Sequence, residues 1–324
     1  MALDRPVHLT AFERIIAYTP IHALWAGQEW VIVFFVLSGL VLSLAASKGQ
    51  PFDAASYYPR RLVRLYIPVW AAVVLAAFAH VAVSHHAVRG ATPWLNSHSV
   101  SLSLGRTAHD LTLIFGAGDG SLTTVLWSLK WEVLFSLLLP AYLLAAQKLN
   151  PILLTCASLL VILLGGSGYT HYMPVFMLGV VLAYSRPWIT QHLTRTRALI
   201  LLPVSFCLLS GDWWMPSERL GITLVAVGAA GMVACGMVPG HFSRVLDNKP
   251  FQLVGSRSFS LYLVHEPLLV ALAFALGGTP SLPLLLLVAI PLIALVTEVF
   301  YRVVERPAHR LARMVAARPL PAVS

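Results

Sequence analysis

Apolar residues in this chain come in runs rather than at the alternating positions of a soluble fold. Nine stretches are predominantly apolar: 30–47, 66–84, 122–145, 150–166, 171–184, 197–211, 219–238, 258–277 and 283–303. A run of about 18 or more apolar residues is long enough to cross a bilayer as a helix. The pattern therefore predicts an all-α, polytopic transmembrane helix bundle of about nine spans. Residues 30–304 form its membrane domain, residues 1–29 an extracytoplasmic N-terminal segment, and residues 305–324 a cytoplasmic tail, disordered beyond about residue 312. The stretches 171–184 and 197–211 are short, and each holds or borders a proline, so they are expected to be kinked or partly re-entrant.

Composition agrees with that pattern. Hydrophobic residues make up 58% of the chain and charged residues 11%, whereas an ordinary soluble domain carries about 25% charged residues. The net charge of +9 does not point to nucleic acid, because the charges sit in short segments between apolar runs. With the 48–65 segment on the cytoplasmic side, sixteen of the 22 Lys and Arg fall inside, five outside, and Lys130 within a span. That bias is what the positive-inside rule requires, and it predicts a multi-pass membrane protein with its C-terminus in the cytoplasm. No cleavable signal peptide is visible in residues 1–29, which carry Asp4, Arg5, Glu13, Arg14 and Glu29. Cys156, Cys207 and Cys235 lie in apolar runs without metal-ligand spacing and read as small buried hydrophobes.

The longest polar segment, 85–121, is placed outside. It carries His85, His86, His98, His109, Asp110 and Asp119, but no HxxxH or HxxEH spacing. It reads as a solvated loop rather than a metal site, with a possible part in admitting a polar substrate.

A charge at the bilayer centre costs about 2.5–3.5 kcal/mol on insertion scales, so embedded ionisable residues need a reason to be there. Trp127-Ser128-Leu129-Lys130-Trp131-Glu132 lies within the third span. Ser128 and Glu132 share one helix face, while Lys130 and Glu132 point apart, so each needs another partner. Glu132 is either half of a structural ion pair or a carboxylate along a substrate path. Arg60-Arg61-Leu62-Val63-Arg64 precedes Pro68. It is either a positive-inside anchor or a site for phosphate groups, which guanidinium binds bidentately. His265, followed by Glu266-Pro267, is either a functional imidazole or a hydrogen-bonded histidine between helices. Glu298 and Arg302 are spaced for an i,i+4 salt bridge.

Read together, these stretches resemble the acyltransferase 3 family of membrane-bound acyltransferases. Val33-Phe34-Phe35-Val36-Leu37-Ser38-Gly39 is similar to its FFVLSG helix. Arg61-Leu62-Val63-Arg64 with Pro68 is similar to its RxxR…P stretch. Trp127-Ser128-Leu129 with Glu132, Phe135 and Pro140 resembles its WSLxxExxF…P helix. Ser260-Leu261-Tyr262-Leu263 with His265 and Pro267 resembles its SLYLxHxP helix, and Glu305-Arg306-Pro307 its closing E-basic-P. The resemblance implies transfer of an acyl group, acetyl in many members, from a cytoplasmic acyl-CoA to a hydroxyl of a cell-surface or exported carbohydrate. It implies no tightly bound cofactor and no metal, with the acyl-CoA, the carbohydrate and the lipid bilayer as partners. Arg61 and Arg64 would hold the coenzyme A phosphates. Glu132 and His265 would be catalytic, with Trp127, Ser128 and Tyr262 along the substrate path.

The chain departs from the family at its start. The family opens with a helix carrying an Arg and then a His expected to act as base, and no such span precedes Trp30. Arg14 and His22 are differently spaced, and His8 and His22 are the nearby imidazoles. Ser136 stands where the family often has Tyr. Two other readings compete, one from the embedded charges and one from the missing first helix. One is a lipid or sugar transporter or flippase, with Lys130, Glu132 and His265 on a proton path. The other is a truncated, non-catalytic relic of the acyltransferase.

Overall fold

The computed structural model describes residues 27–99, 101–113, 122–165 and 171–316. Fifteen helices follow one another through these residues. They are α1 (Gly27–Ser47), α2 (Ala54–Ala82), α3 (Pro93–Ser97), α4 (Leu104–Thr112), α5 (Leu126–Lys148), α6 (Pro151–Leu164), α7 (Tyr172–Tyr184) and α8 (Arg186–His192). After them come α9 (Arg195–Leu209), α10 (Gly211–Trp214), α11 (Glu218–Met237), α12 (His241–Leu246), α13 (Lys249–Ala275), α14 (Leu282–Phe300) and α15 (Arg306–Ala316). A π-helical segment, Tyr301–Glu305, joins α14 to α15. No strand occurs among the described residues.

Each of the nine apolar stretches is helical. Six helices are long and apolar enough to cross a membrane, or seven if the α8–α9 pair, bent by 109°, counts as one. The bend falls at Leu193 and Thr194, just before the stretch 197–211 expected to be kinked, and α9 itself is one helix from Arg195 to Leu209. Helices α6 and α7 have 14 and 13 residues, short of the roughly 20 that a straight span requires. Large apolar side chains stand exposed on these helices: Phe78 is 69% exposed and Leu287 73%. An apolar surface of this kind suits hydrocarbon as its solvent. The architecture is thus an all-α, polytopic membrane bundle.

Three expectations need correction. Helix α2 begins at Ala54, not near 66, because Asp53 caps it by accepting hydrogen bonds from the Ala55 and Ser56 N–H groups. Arg60, Arg61 and Arg64 therefore lie inside the helix; they dilute its apolar character without stopping it. Likewise α13 starts at Lys249 rather than 258. Second, the tail expected to be unstructured beyond residue 312 is helical to Ala316. Third, Cys235 is buried, but Cys156 and Cys207 are exposed on otherwise apolar helices. His8, Arg14, His22, Asp119 and most of the segment 1–29 lie outside the described residues.

The chain divides into two compact units, one reaching to Pro51 and including Leu138–Asn248, the other Phe52–Leu137 with Lys249–Ser324. In the first, α1 packs on α7. A Cβ on Gly39 would lie 2.2 Å from the Phe176 carbonyl oxygen, and one on Gly179 would lie 2.0 Å from that of Val36. Only glycine allows the two backbones to approach so closely. Beside this contact Phe35 meets Tyr172 edge-on, with ring centroids 5.3 Å apart. This is the FFVLSG stretch, and its glycine serves helix packing.

In the second unit, buried side chains of α2 (Leu65, Val69, Val73), α5 (Leu126, Leu129, Val133) and α13 (Leu263, Val264) form one core with Phe300. Helix α15 packs along α2 with Ala308 and Ala312 buried. The motif residues quoted from α2 and α13, those of α5 up to Phe135, and Glu305-Arg306-Pro307 at the start of α15 fall in this unit.

Candidate functional site

The embedded carboxylate Glu132 finds its partner on α2. The Arg61 guanidinium donates from Nη2 to Glu132 Oε1 and from Nε to the Ser136 hydroxyl oxygen at 2.9 Å. Ser136 in turn donates to the Glu132 carbonyl at 2.7 Å. One turn earlier on α2, the Tyr58 hydroxyl donates to the Leu137 carbonyl at 3.0 Å. Both members of the ion pair are buried, with side-chain exposures of 11% and 6%. A predicted phosphate ligand and a predicted catalytic residue are thus paired with each other. Two of the donor groups of Arg61 are committed to α5. Ser136 supplies the acceptor for Arg61 at a position where the sequence departs from the family.

Arg64, one turn further along α2, is exposed and forms no ion pair among the described residues. Its charge nonetheless bears on Arg61, Glu132 and Glu305. Of the two arginines singled out for phosphate, Arg64 is the one without an ion pair among the described residues. Lys130, on the other face of α5, is partly buried, as are Trp127 and Trp131.

Helix α13 holds the leading turn of α5 through side chains one turn apart. The Tyr262 hydroxyl donates to the Val125 carbonyl at 2.7 Å. Since its one proton is used there, the Ser128 hydroxyl at 2.7 Å donates to the Tyr262 oxygen. Glu266, only 4% exposed, accepts from the Thr123 hydroxyl at 2.6 Å, from the Thr124 hydroxyl, and from the Val125 N–H at 3.0 Å. A fourth partner, His98 Nε2, stands 3.4 Å away. The polar end of α13 beyond Ser258 is likewise tied down. Glu305 accepts from the Ser260 N–H at 3.1 Å and from the Ser260 hydroxyl. Glu298 accepts from Arg257 at 2.8 Å and from Arg302 at 2.5 Å, so the predicted i,i+4 bridge is present and shared with α13.

His265 sits between these clamps. Its Nδ1 lies 2.8 Å from the Tyr262 carbonyl and 3.1 Å from that of Leu261. Carbonyls only accept, so Nδ1 carries the proton, and in the neutral ring Nε2 carries the lone pair. The Nε2 has no hydrogen-bond partner among the described residues, and the side chain is only partly buried. This is the tautomer and accessibility that a general base requires.

The described parts of the 85–121 segment, 85–99 and 101–113, carry two short helices and buried polar side chains rather than a solvated loop. His98 and Asp110 are buried. Asp110 accepts from the Leu122 N–H at 2.8 Å. Burial raises its carboxyl pKa to about 6 despite that hydrogen bond and the nearby His109. His85 Nδ1 contacts His80 Nδ1 at 2.7 Å. Burial and the neighbouring His80 and His98 depress its pKa to about 4.

Sequence reasoning brought Ser128, Glu132, Arg61, Tyr262 and His265 into view, and the structure gathers them on three neighbouring helices. It did not single out Glu266, His98, Thr123, Thr124 or the Ser260–Glu305 contact. Glu266 could have been found, since an embedded carboxylate is as costly as an embedded imidazole. His98 could not, because in sequence it is one more histidine in a polar segment.

The chain matches the acyltransferase domain family, acyltransferase 3, over residues 9–302. It is 25% identical over 288 residues to "Putative peptidoglycan O-acetyltransferase YrhL" of Bacillus subtilis (strain 168), covering 76% of this chain and 45% of that protein. It is 25% identical over 339 residues to peptidoglycan O-acetyltransferase OatA of Listeria monocytogenes, covering 88% of this chain and 52% of that one. With O-acetyltransferase OatA of Staphylococcus aureus (strain NCTC 8325) the identity is 25% over 219 residues, 57% of this chain and 36% of that protein. The chain spans about half the length or less of these curated relatives. No solved structure matches it.

Proposed function

We propose, from the premise that this chain belongs to the acyltransferase 3 family, that it moves an acetyl group from cytoplasmic acetyl-CoA to a hydroxyl of a cell-wall carbohydrate, and that His265 is the base. The observation that carries this reading is the fixed tautomer of His265, whose Nδ1–H is spent on the Tyr262 carbonyl. The peptidoglycan acetyltransferases among its relatives support the choice of acceptor.

In the reaction, Nε2 takes the proton of the acceptor hydroxyl. The oxygen forms a bond to the thioester carbonyl carbon, the carbon–sulfur bond breaks, and the thiolate leaves and is protonated. Arg64 binds phosphate of the donor. The Arg61–Glu132 pair holds α2 to α5, and Ser128 with Tyr262 fixes the wall beside the base. On the orientation expected from the charge bias, Arg64 faces the cytoplasmic donor and the 85–121 segment the outer acceptor.

The test uses the full chain in proteoliposomes with labelled acetyl-CoA and soluble peptidoglycan fragments. Free coenzyme A and O-acetylated glycan are expected together. His265→Ala and His265→Gln should each lose about 10²–10⁴-fold in turnover, the usual contribution of a general base. Wild-type turnover in both variants would remove His265 from the chemistry. Absence of coenzyme A release with every carbohydrate acceptor would overturn acyl transfer itself.

A further inference from the structure

Glu266 and His98 form a buried pair that the acyl-transfer chemistry does not use. Their side chains are each 5% exposed. His98 belongs to a braced segment. Thr92 caps α3 by accepting from the Leu95 N–H. Asn96 grips Val88 at both ends, accepting from its N–H at 3.0 Å and donating to its carbonyl at 3.1 Å. The His98 ring packs against Trp94 at a tilt of 58°, with centroids 4.7 Å apart, and Nδ1 lies 2.8 Å from the Trp94 carbonyl.

Those contacts fix the charge of His98. The Trp94 carbonyl requires a proton on Nδ1, and a lone pair on Nε2 aimed at Glu266 Oε1 would be repelled. The pair is coherent only as imidazolium and carboxylate. Both ring nitrogens are then occupied, so His98 cannot itself serve as base. What it can do is complete the shell of Glu266, whose other contacts reach Thr123, Thr124 and Val125.

We propose that His98 and Glu266 are positioning residues for His265: their ion pair locks α13 against the leading turn of α5 and so sets the place of the His265 Nε2. The Val125 peptide is the fulcrum, held at its N–H by Glu266 and at its carbonyl by Tyr262. His265 lies between these two residues in sequence and donates to the Tyr262 carbonyl. A displaced base loses rate steeply, about 10²-fold for 1 Å. The proposal rests on the acyl-transfer reading for its kinetic readout only.

The groups around His98 give the lock a pH dependence. Glu266 faces it from α13. His85, in the segment after α2, is neutral near pH 7 and adds no competing charge. Burial opposes the His98 charge, but the Glu266 carboxylate beside it and the hydrogen bond to the Trp94 carbonyl outweigh it, and the imidazole pKa is raised above its ordinary 6.5. The stabilisation is therefore complete below pH 6.5 and is lost as pH rises through the raised value.

Two arms test this on the purified full chain in detergent. In the first, the wild-type unfolding midpoint falls as pH rises above 6.5, and His98→Gln lacks that component of the fall. Glu266→Gln, which keeps the packing, moves the component to lower pH. In the second, both variants lose about tenfold to hundredfold in acetyl transfer at pH 6.5, and the alkaline fall in wild-type turnover follows the same displacement. Identical pH profiles of the midpoint in wild type and both variants would overturn the ion pair. Displaced midpoint profiles with wild-type turnover at every pH would overturn the positioning role. The midpoint arm stands even if acyl transfer itself fails, so the two readings fail separately.

Discussion

Arg61 and Glu132, 71 residues apart in sequence, meet inside the second unit as a buried ion pair. Each of them alone would be a charge embedded in an apolar helix. Removing one partner strands the other, at about 3–5 kcal/mol. Arg61→Leu and Glu132→Leu should therefore each lower the unfolding midpoint sharply. The double variant, which buries no stranded charge, should recover most of that loss. A double variant as unstable as the sum of the singles would show that the residues do not interact.

Arg64 differs from Arg61 in having no ion-pair partner among the described residues. Its replacement by alanine should leave the unfolding midpoint near wild type and raise KM for acetyl-CoA with little change in kcat. A hydrogen bond to a charged group contributes about 1.5–3 kcal/mol, so the expected rise is about tenfold to hundredfold. Steady-state kinetics with varied donor measures it, and a change in kcat alone would place Arg64 elsewhere in the reaction.

Gly39 and Gly179 allow the backbones of α1 and α7 to touch. Alanine at either position brings a methyl group against a main-chain carbonyl oxygen, which cannot swing aside as a side chain would. Overpacking of this kind costs about 1–3 kcal/mol or more. Gly255→Ala is the control, since nothing lies within 4 Å of its added Cβ. It should gain about 0.5–1 kcal/mol from helix propensity. Thermal unfolding of the three variants separates contact from propensity.

Asp110 has its carboxyl pKa raised by burial to about 6, from 3.8. A group whose folded pKa lies above its unfolded one stabilises the fold fully only below the lower value. That contribution is lost as pH climbs from about 4 through 6. Asp110→Asn should remove this decline while keeping an acceptor for the Leu122 N–H. Unfolding midpoints of wild type and variant between pH 4 and 7 should converge at the acid end and diverge above pH 6.

The long apolar runs made the helices legible, because hydrocarbon imposes one local rule on every spanning segment. The helix starts at Ala54 and Lys249 were not legible. A hydropathy reading stops where charges begin, while the backbone continues wherever a cap and helix-compatible residues allow. In the site, His265, Glu132 and Arg61 stood out because ionisable groups are rare in such runs. Which of them pair could not be read, since Arg61–Glu132 and His98–Glu266 join residues on different elements. Arg61 could be named as the partner of Glu132 only with α2 seen beside α5.

The π-helical turn Tyr301–Glu305 gives one short stretch a tolerance of length that its neighbours lack. A π turn holds about one residue more than an α turn. Deleting one residue there would restore regular helix and leave the helix beyond it in phase, with Ala308 and Ala312 still against α2. The same deletion within α14 or α15 has no extra residue to give up and would swing everything beyond it by about 100°. A single-codon deletion is therefore absorbed inside this turn and changes the phase of the C-terminal helix when it falls on either side of it.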